Sequence, residues 1–120
     1  MKCISIRQPW AWLVAHGFKP IENRPRLTHY RGPVLIHASS YVPFMDEIER
    51  VEKLWGKRLN PDNIEFGGII GQVEIVDCVT VHRSKWFFGP FGYVLRHARP
   101  LPFFRCPGQL GFFEAPKNFN

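Results

Sequence analysis

The run SIRQPWAWLVAHGFKPIENR, Ser5 to Arg24, sets out the opening elements of this chain in order. It is entered through Cys3-Ile4-Ser5-Ile6, whose alternation predicts a short strand. Pro9 suits the first turn of a helix, where a missing N–H costs nothing. Trp10 to His16 supply that helix, and Gly17 is its natural C-cap because glycine tolerates positive φ. Two turns of helix are unstable alone in water, so Trp10, Leu13 and Val14 must be held against something larger. Ile21 to Arg24 reads as a second short strand.

Outward from this run, Pro25 and Thr28-His29 mark a loop, and Pro33 to Ala38 (PVLIHA) is an apolar, β-branched run that predicts a buried strand. Phe44, Ile48, Val51 and Trp55 recur at helical spacing, with Asp46, Glu47, Glu49, Arg50, Glu52 and Lys53 between them. This predicts an amphipathic helix that covers a barrel with its apolar face and ends near Gly56. Gly67-Gly68 opens the strongest strand, Ile69 to Val81, with Gly71 marking a bulge or bend. Its length exceeds the usual strand of about five or six residues, as expected of a strand bent around a small barrel. Trp86 to Phe91 (WFFGPF) predicts a loop carrying aromatics. Tyr93 to Leu95, a proline-interrupted Leu101 to Cys106, and Leu110 to Glu114 complete the strands. The expected fold is α+β: one domain over residues 1–120, a small β-barrel with two or so short helices packed on it.

With 120 residues, 45% hydrophobic and 22% charged, the chain has room for one core and reads as globular rather than disordered. No apolar run approaches the roughly 18 residues of a membrane span. Arg7 and Pro9 interrupt the apolar stretch a secretory signal would need, so a cytoplasmic location is the expectation, with no membrane partner. Cys3, Cys78 and Cys106 are odd in number and widely spaced, which argues against a disulfide framework or a structural zinc site. Cys78 and His82 have ligand-like separation but no second pair, so no metal and no cofactor is expected. The net charge of +6 is uneven: residues 1–40 carry +5, residues 41–80 carry −4 and residues 81–120 carry +5. Two basic ends around an acidic middle suggest a basic face if the ends meet.

Several stretches together resemble the ASCH domain family of the PUA-like superfamily. Gln8-Pro9-Trp10 and the following Gly17, Lys19, Glu22 and Arg24 match its opening motif. The similarity continues through GPVLIHAS (Gly32 to Ser39), GGIIGQVEIVDC (Gly67 to Cys78), GPFGYVL (Gly89 to Leu95) and PGQLGFFE (Pro107 to Glu114). The resemblance covers nearly the whole chain. It implies a PUA-like barrel with a cleft beside it, and a role near RNA or nucleotides. It does not select among the functions the family hosts.

The residues point to the following chemistry. Gln8 at the first helix start either caps that helix or offers its amide to a base edge beside free N–H groups. Lys19, Glu22 and Arg24 place a carboxylate between two cations, with Glu22 and Arg24 on one face of an extended segment. That cluster either grips a phosphate through Arg24 and Lys19 or is an internal ion network. His37 and Ser39 end the PVLIHA strand near the same cleft. Lys85 with Trp86, Phe87 and Phe88 joins a cation to rings on which bases stack, with Tyr93 close behind. One or two of these are expected to line the cleft, Trp86 and Tyr93 first, and Trp10 is a further expected ligand-binding residue.

The resemblance also raises hydrolysis, because some small relatives deacylate acylated cytidine with a Lys, a Thr three residues later and a more distant Glu. Lys19 matches the first, Glu22 stands in place of the Thr, and no Asp or Glu occurs between Cys78 and Phe113. Glu74 is the substitute base, so an enzyme of this kind would use Lys19, Glu22 and Glu74. RNA cleavage would instead need His37 near a Lys19–Arg24 clamp. The expectation carried forward is a binding module for single-stranded RNA or a nucleotide-like ligand, through a basic, aromatic-lined cleft, with a protein partner and the oligomeric state left open.

Overall fold

A computed structural model describes residues 1–119. Its elements run β1 (Lys2–Ile6), α1 (Trp10–Ala15), β2 (Ile21–Arg24), β3 (Gly32–Ala38), α2 (Met45–Trp55), a 3-10 turn (Pro61–Asn63), β4 (Gly68–Val79), β5 (Phe91–Arg105) and β6 (Phe112–Glu114). The strands form one six-stranded sheet in the order β2-β5-β4-β3-β1-β6. All pairings are antiparallel except β1 with β3, which run parallel. The sheet curls into a half-barrel around Ile4, Ile6, Val34, Ile36, Val73, Ile75, Tyr93 and Leu95. Tyr93 of β5 stacks on Phe112 of β6, with ring centroids 6.2 Å apart, so aromatic packing bridges strands that share no ladder.

Helix α1 explains how a helix of six residues survives. Ala11, Val14 and Ala15 enter the same core as the strands, and burial supplies what helix propensity cannot. The fit is close at one point. A Cβ on Gly71 would lie 2.6 Å from the Cβ of Ala15, so Gly71 lets β4 approach the helix, besides sitting at a register shift. Gly17 follows α1 with φ +80°, the left-handed conformation that ends helices.

Two expectations change. The second helix does not cover the barrel. Val51 is its one buried residue, and it packs with Leu13, Ile21 and Trp86, while Phe44 is exposed. The final strands also differ: Tyr93 to Leu95 and Leu101 to Cys106 belong to one continuous β5, despite Pro100 and Pro102. Register shifts along β4–β5 absorb the missing proline donors and bend the ribbon, and His97 takes φ +56° within it.

The two basic ends of the chain do meet, since β1 pairs with β6 and β2 with β5. No helix among the described residues is long and apolar enough to cross a membrane.

Candidate nucleic-acid interface

Strand β2 is an edge of the half-barrel, and its last residue reaches across to β1. The Arg24 Nη2 donates to the carbonyl oxygen of Ser5 at 2.7 Å, and its Nε donates to Glu22 Oε2 at 2.9 Å. On the other side of that carboxylate, Lys19 Nζ stands 3.3 Å from Glu22 Oε1 and also donates to the carbonyl of Ile21. The alternation of an extended chain puts Glu22 and Arg24 on one face, and the turn after α1 brings Lys19 beneath them. The carboxylate is therefore held between two cations. Lys19 is 3% exposed, and burial pushes its ammonium below the usual lysine range while Glu22 works in the opposite direction.

This cluster forms the back of a cavity of about 460 Å³ lined by Ser5, Arg7, Trp10, Lys19, Glu22, Asn23, Arg24 and Phe88, among others. A second cavity, of about 450 Å³, shares Ser5, Arg7 and Arg24 with it and continues past His37, Ser39 and Ser40 to the loop Cys106–Gly111. Trp10 and Phe88 also border a groove against Glu47, Arg50, Lys53 and Leu54 of α2. The three depressions run side by side across one face. Their cations come from the first third of the chain and from α2, so the basic carboxy-terminal third contributes none of them.

The structure brings Trp10, Lys19, Glu22 and Arg24 to the first cavity and His37 and Ser39 to the second. Four expected residues lie elsewhere. Gln8 is buried, its Oε1 accepting from the Trp12 N–H at 2.9 Å and its Nε2 donating to the Glu65 carbonyl at 2.8 Å. It caps α1 and ties it to a loop, and a six-residue helix start so occupied presents no anion site. Trp86 is 4% exposed and sits edge-on to Trp10 within the cluster of Leu13, Ile21 and Val51. Tyr93 is the cross-strand partner of Glu22, yet its ring is in the barrel core and its hydroxyl donates to the Arg26 carbonyl. Both rings were needed to fill apolar space, which leaves them unavailable as a stacking wall. Glu74 pairs with His97 Nδ1 at 2.9 Å and lines neither cavity, so the structure does not bring it to Lys19 and Glu22.

Phe88 of the expected aromatic loop, and three residues not proposed for the site above, also reach the cavities. Phe88, 65% exposed, is the aromatic that replaces Trp86 on the rim. Asn23 fixes its loop: Nδ2 donates to the Trp86 carbonyl, and Oδ1 accepts from the N–H groups of Phe88 and Gly89. Arg7 lies over the Tyr41 ring at 4.1 Å. Ser5 and Arg7 had a signal available, because alternation against buried Ile4 and Ile6 turns both outward. Phe88 had the signal of its loop, a cation beside three aromatics, whereas Asn23 had none, since 65 residues separate it from the ring it positions.

Comparison with known proteins agrees with the architecture. The ASCH domain family matches residues 4–95. The chain belongs to the ASCH domain family. It is 31% identical over 112 residues to human activating signal cointegrator 1, covering 82% of this chain and 19% of that protein. The mouse activating signal cointegrator 1 is 31% identical over 83 residues, covering 65% of this chain and 14% of that protein. The ASCH chain thus spans about one-fifth or less of the length of these relatives. A crystal structure of a mutant ZmASCH protein from Zymomonas mobilis shares the fold, with a TM-score of 0.60 at 15% identity, covering 97% of this chain and 90% of that one.

Proposed function

We propose that the ASCH chain is a binding module for single-stranded RNA, which it takes into the cavity between β1, β2 and Phe88. One observation carries this reading: Arg7, Arg24, Trp10, Phe88 and an oriented Glu22 carboxylate converge on a single concavity. Guanidinium groups suit phosphate, and exposed rings accept any unstacked base. Glu22 spends only part of its accepting capacity on Lys19 and Arg24, because an ionised carboxylate has about four lone-pair sites. The remainder suits a base amino group or the ribose 2′-hydroxyl that separates RNA from DNA. Lys19 acts through Glu22, since its ammonium is buried and already bonded. Arg50 and Lys53 in the adjoining groove extend the phosphate track.

The test is fluorescence anisotropy of a labelled single-stranded RNA over a salt series, for wild type, Arg7→Ala and Phe88→Ala. Both side chains are exposed, so folding is preserved. Arg7→Ala is expected to flatten the plot of log affinity against log salt by about 0.7, the contribution of one phosphate contact on a single strand. Phe88→Ala is expected to weaken binding by about 1–3 kcal/mol with the slope unchanged. Absence of binding at low salt, or equal affinity of all three proteins, overturns the proposal.

A further inference from the structure

The wall between the two cavities carries a pair that the RNA-binding reading does not use. Strands β1 and β3 run parallel with Ser5 directly opposite His37, so both side chains leave the sheet on one face. Ser5 Oγ lies 3.0 Å from His37 Nδ1, and His37 Nε2 lies 2.7 Å from the carbonyl oxygen of Cys106. A carbonyl oxygen only accepts, so Nε2 carries the ring proton, and Nδ1 of the uncharged ring has a lone pair for the Ser5 hydroxyl. Hydroxyl, imidazole and orienting acceptor therefore stand in series, the arrangement that activates a serine nucleophile. Phe113 meets the ring edge-on at 5.8 Å and helps fix its plane.

Access is on the serine side. His37 is buried, whereas Ser5 is half-buried and lines both cavities, with Arg7 and Arg24 on the same wall. Gly108 brings backbone against the pair. A Cβ there would lie 2.7 Å from His37 Cε1 and 3.0 Å from Ser5 Oγ, so no other residue type admits this approach without displacement.

We infer that Ser5 is an acyl-accepting nucleophile and His37 its general base, acting on small carboxylic esters that carry an anionic group. In the first half-reaction Ser5 Oγ bonds to the ester carbonyl carbon and its proton passes to His37 Nδ1. The C–O bond to the alcohol breaks, and the same proton leaves with the alcohol. In the second, water attacks the acyl-serine, gives a proton to Nδ1, and the Ser5–acyl bond breaks as Oγ is reprotonated and the carboxylic acid departs. The imidazolium formed in each half keeps Nε2–H on the Cys106 carbonyl. Arg7 and Arg24 supply the charge that selects an anionic ester. This does not rest on RNA binding, and either can fail alone.

The experiment treats the full chain with a fluorophosphonate probe and maps the adduct by peptide mass spectrometry. The expected result is modification of Ser5 ahead of Ser39, Ser40 and Ser84, no adduct at residue 5 in Ser5→Ala, and labelling slower by about a hundredfold in His37→Gln, the lower range of a general base's contribution. No adduct on Ser5 overturns the inference, and so does labelling of His37→Gln at the wild-type rate. Should His37→Gln fail to fold, the comparison within the wild-type chain decides, and Ser5 reacting no faster than Ser39, Ser40 and Ser84 sinks the idea. Hydrolysis of 4-nitrophenyl hemisuccinate is expected to exceed that of 4-nitrophenyl acetate by about tenfold, with the advantage lost in Arg7→Ala. Equal rates for the two esters in wild type overturn the anionic preference.

Discussion

Behind the first cavity stand three formal charges, Lys19, Glu22 and Arg24, each bonded to the next. Behind the second stand Ser5 and His37, joined by a hydrogen bond that needs no charge and backed by a carbonyl. Among the described residues no buried side-chain polar atom lacks a partner, and this holds for both sets. They differ in what one deletion leaves behind. An ion cluster deprived of its middle member strands a charge that water cannot reach, while a neutral pair deprived of one member strands a single polar atom. The first cavity is thus the rigid, expensive half of the face, and the second the cheaper and chemically poised half.

Glu22→Ala is the strongest way to break this comparison. Arg24 is 21% exposed and turns to solvent, but the Lys19 ammonium has no such exit. The expected loss is about 3–5 kcal/mol, the cost of removing one partner from a buried pair, read from urea unfolding. A loss below about 1 kcal/mol would show that the cluster is no more demanding than a surface ion pair, and the contrast between the two halves would collapse.

How much of this was readable beforehand depends on sequence distance. Lys19, Glu22 and Arg24 lie within six residues, and strand alternation alone puts the last two on one face. The half-barrel was legible for a similar reason: glycine and proline punctuation and β-branched runs are local, and the motifs of residues 5–24 and 67–78 repeat a family pattern. The Ser5–His37 pair was not legible, because 32 residues separate its members and only the parallel β1–β3 register aligns them. Which aromatics would face the cavity was not legible, for a different reason. Trp86 and Phe88 share one loop and one composition, and the choice between them is made by tertiary space: Leu13, Ile21 and Val51 leave a hollow that Trp86 fills, while Asn23 holds the backbone of Phe88 outward. Pro100 and Pro102 misled in turn, since bulges let a strand run through them.

A second test moves beneath the histidine cavity, where Cys3 and Cys106 share an apolar cluster with Leu35, Ile69 and Phe113. Burial first, and then Cys106, pushes the Cys3 thiol up to about 11 from an ordinary 9.0. The folded chain therefore holds a proton that the unfolded chain releases. The contribution is complete below pH 9.0 and is lost as pH rises through about 11. Unfolding free energy is expected to fall by about 2 kcal/mol over that interval on account of Cys3. Lys19, whose range is lowered, works the other way below 10.5, so the readout is the difference in slope between wild type and Cys3→Ala. Identical slopes would mean that the floor of the second cavity is not dry.

Ser5→Ala carries the smallest expected effect and sharpens the comparison most. It removes one half-buried hydroxyl, leaves His37 Nε2 on the Cys106 carbonyl, and opens Nδ1 to the cavity that Ser5 lines. Water entering from that cavity takes up part of the hydrogen bond, so the loss should stay near the low end of the range for an unsatisfied polar atom, about 1 kcal/mol. Urea midpoints of wild type, Ser5→Ala and Glu22→Ala, measured side by side, give the ranking directly. If Ser5→Ala costs as much as Glu22→Ala, the Ser5–His37 bond is pinning the β1–β3 register rather than standing free for chemistry. A loss of about 1 kcal/mol leaves the hydroxyl structurally dispensable. It then needs a reason other than stability to face Arg7 and Arg24.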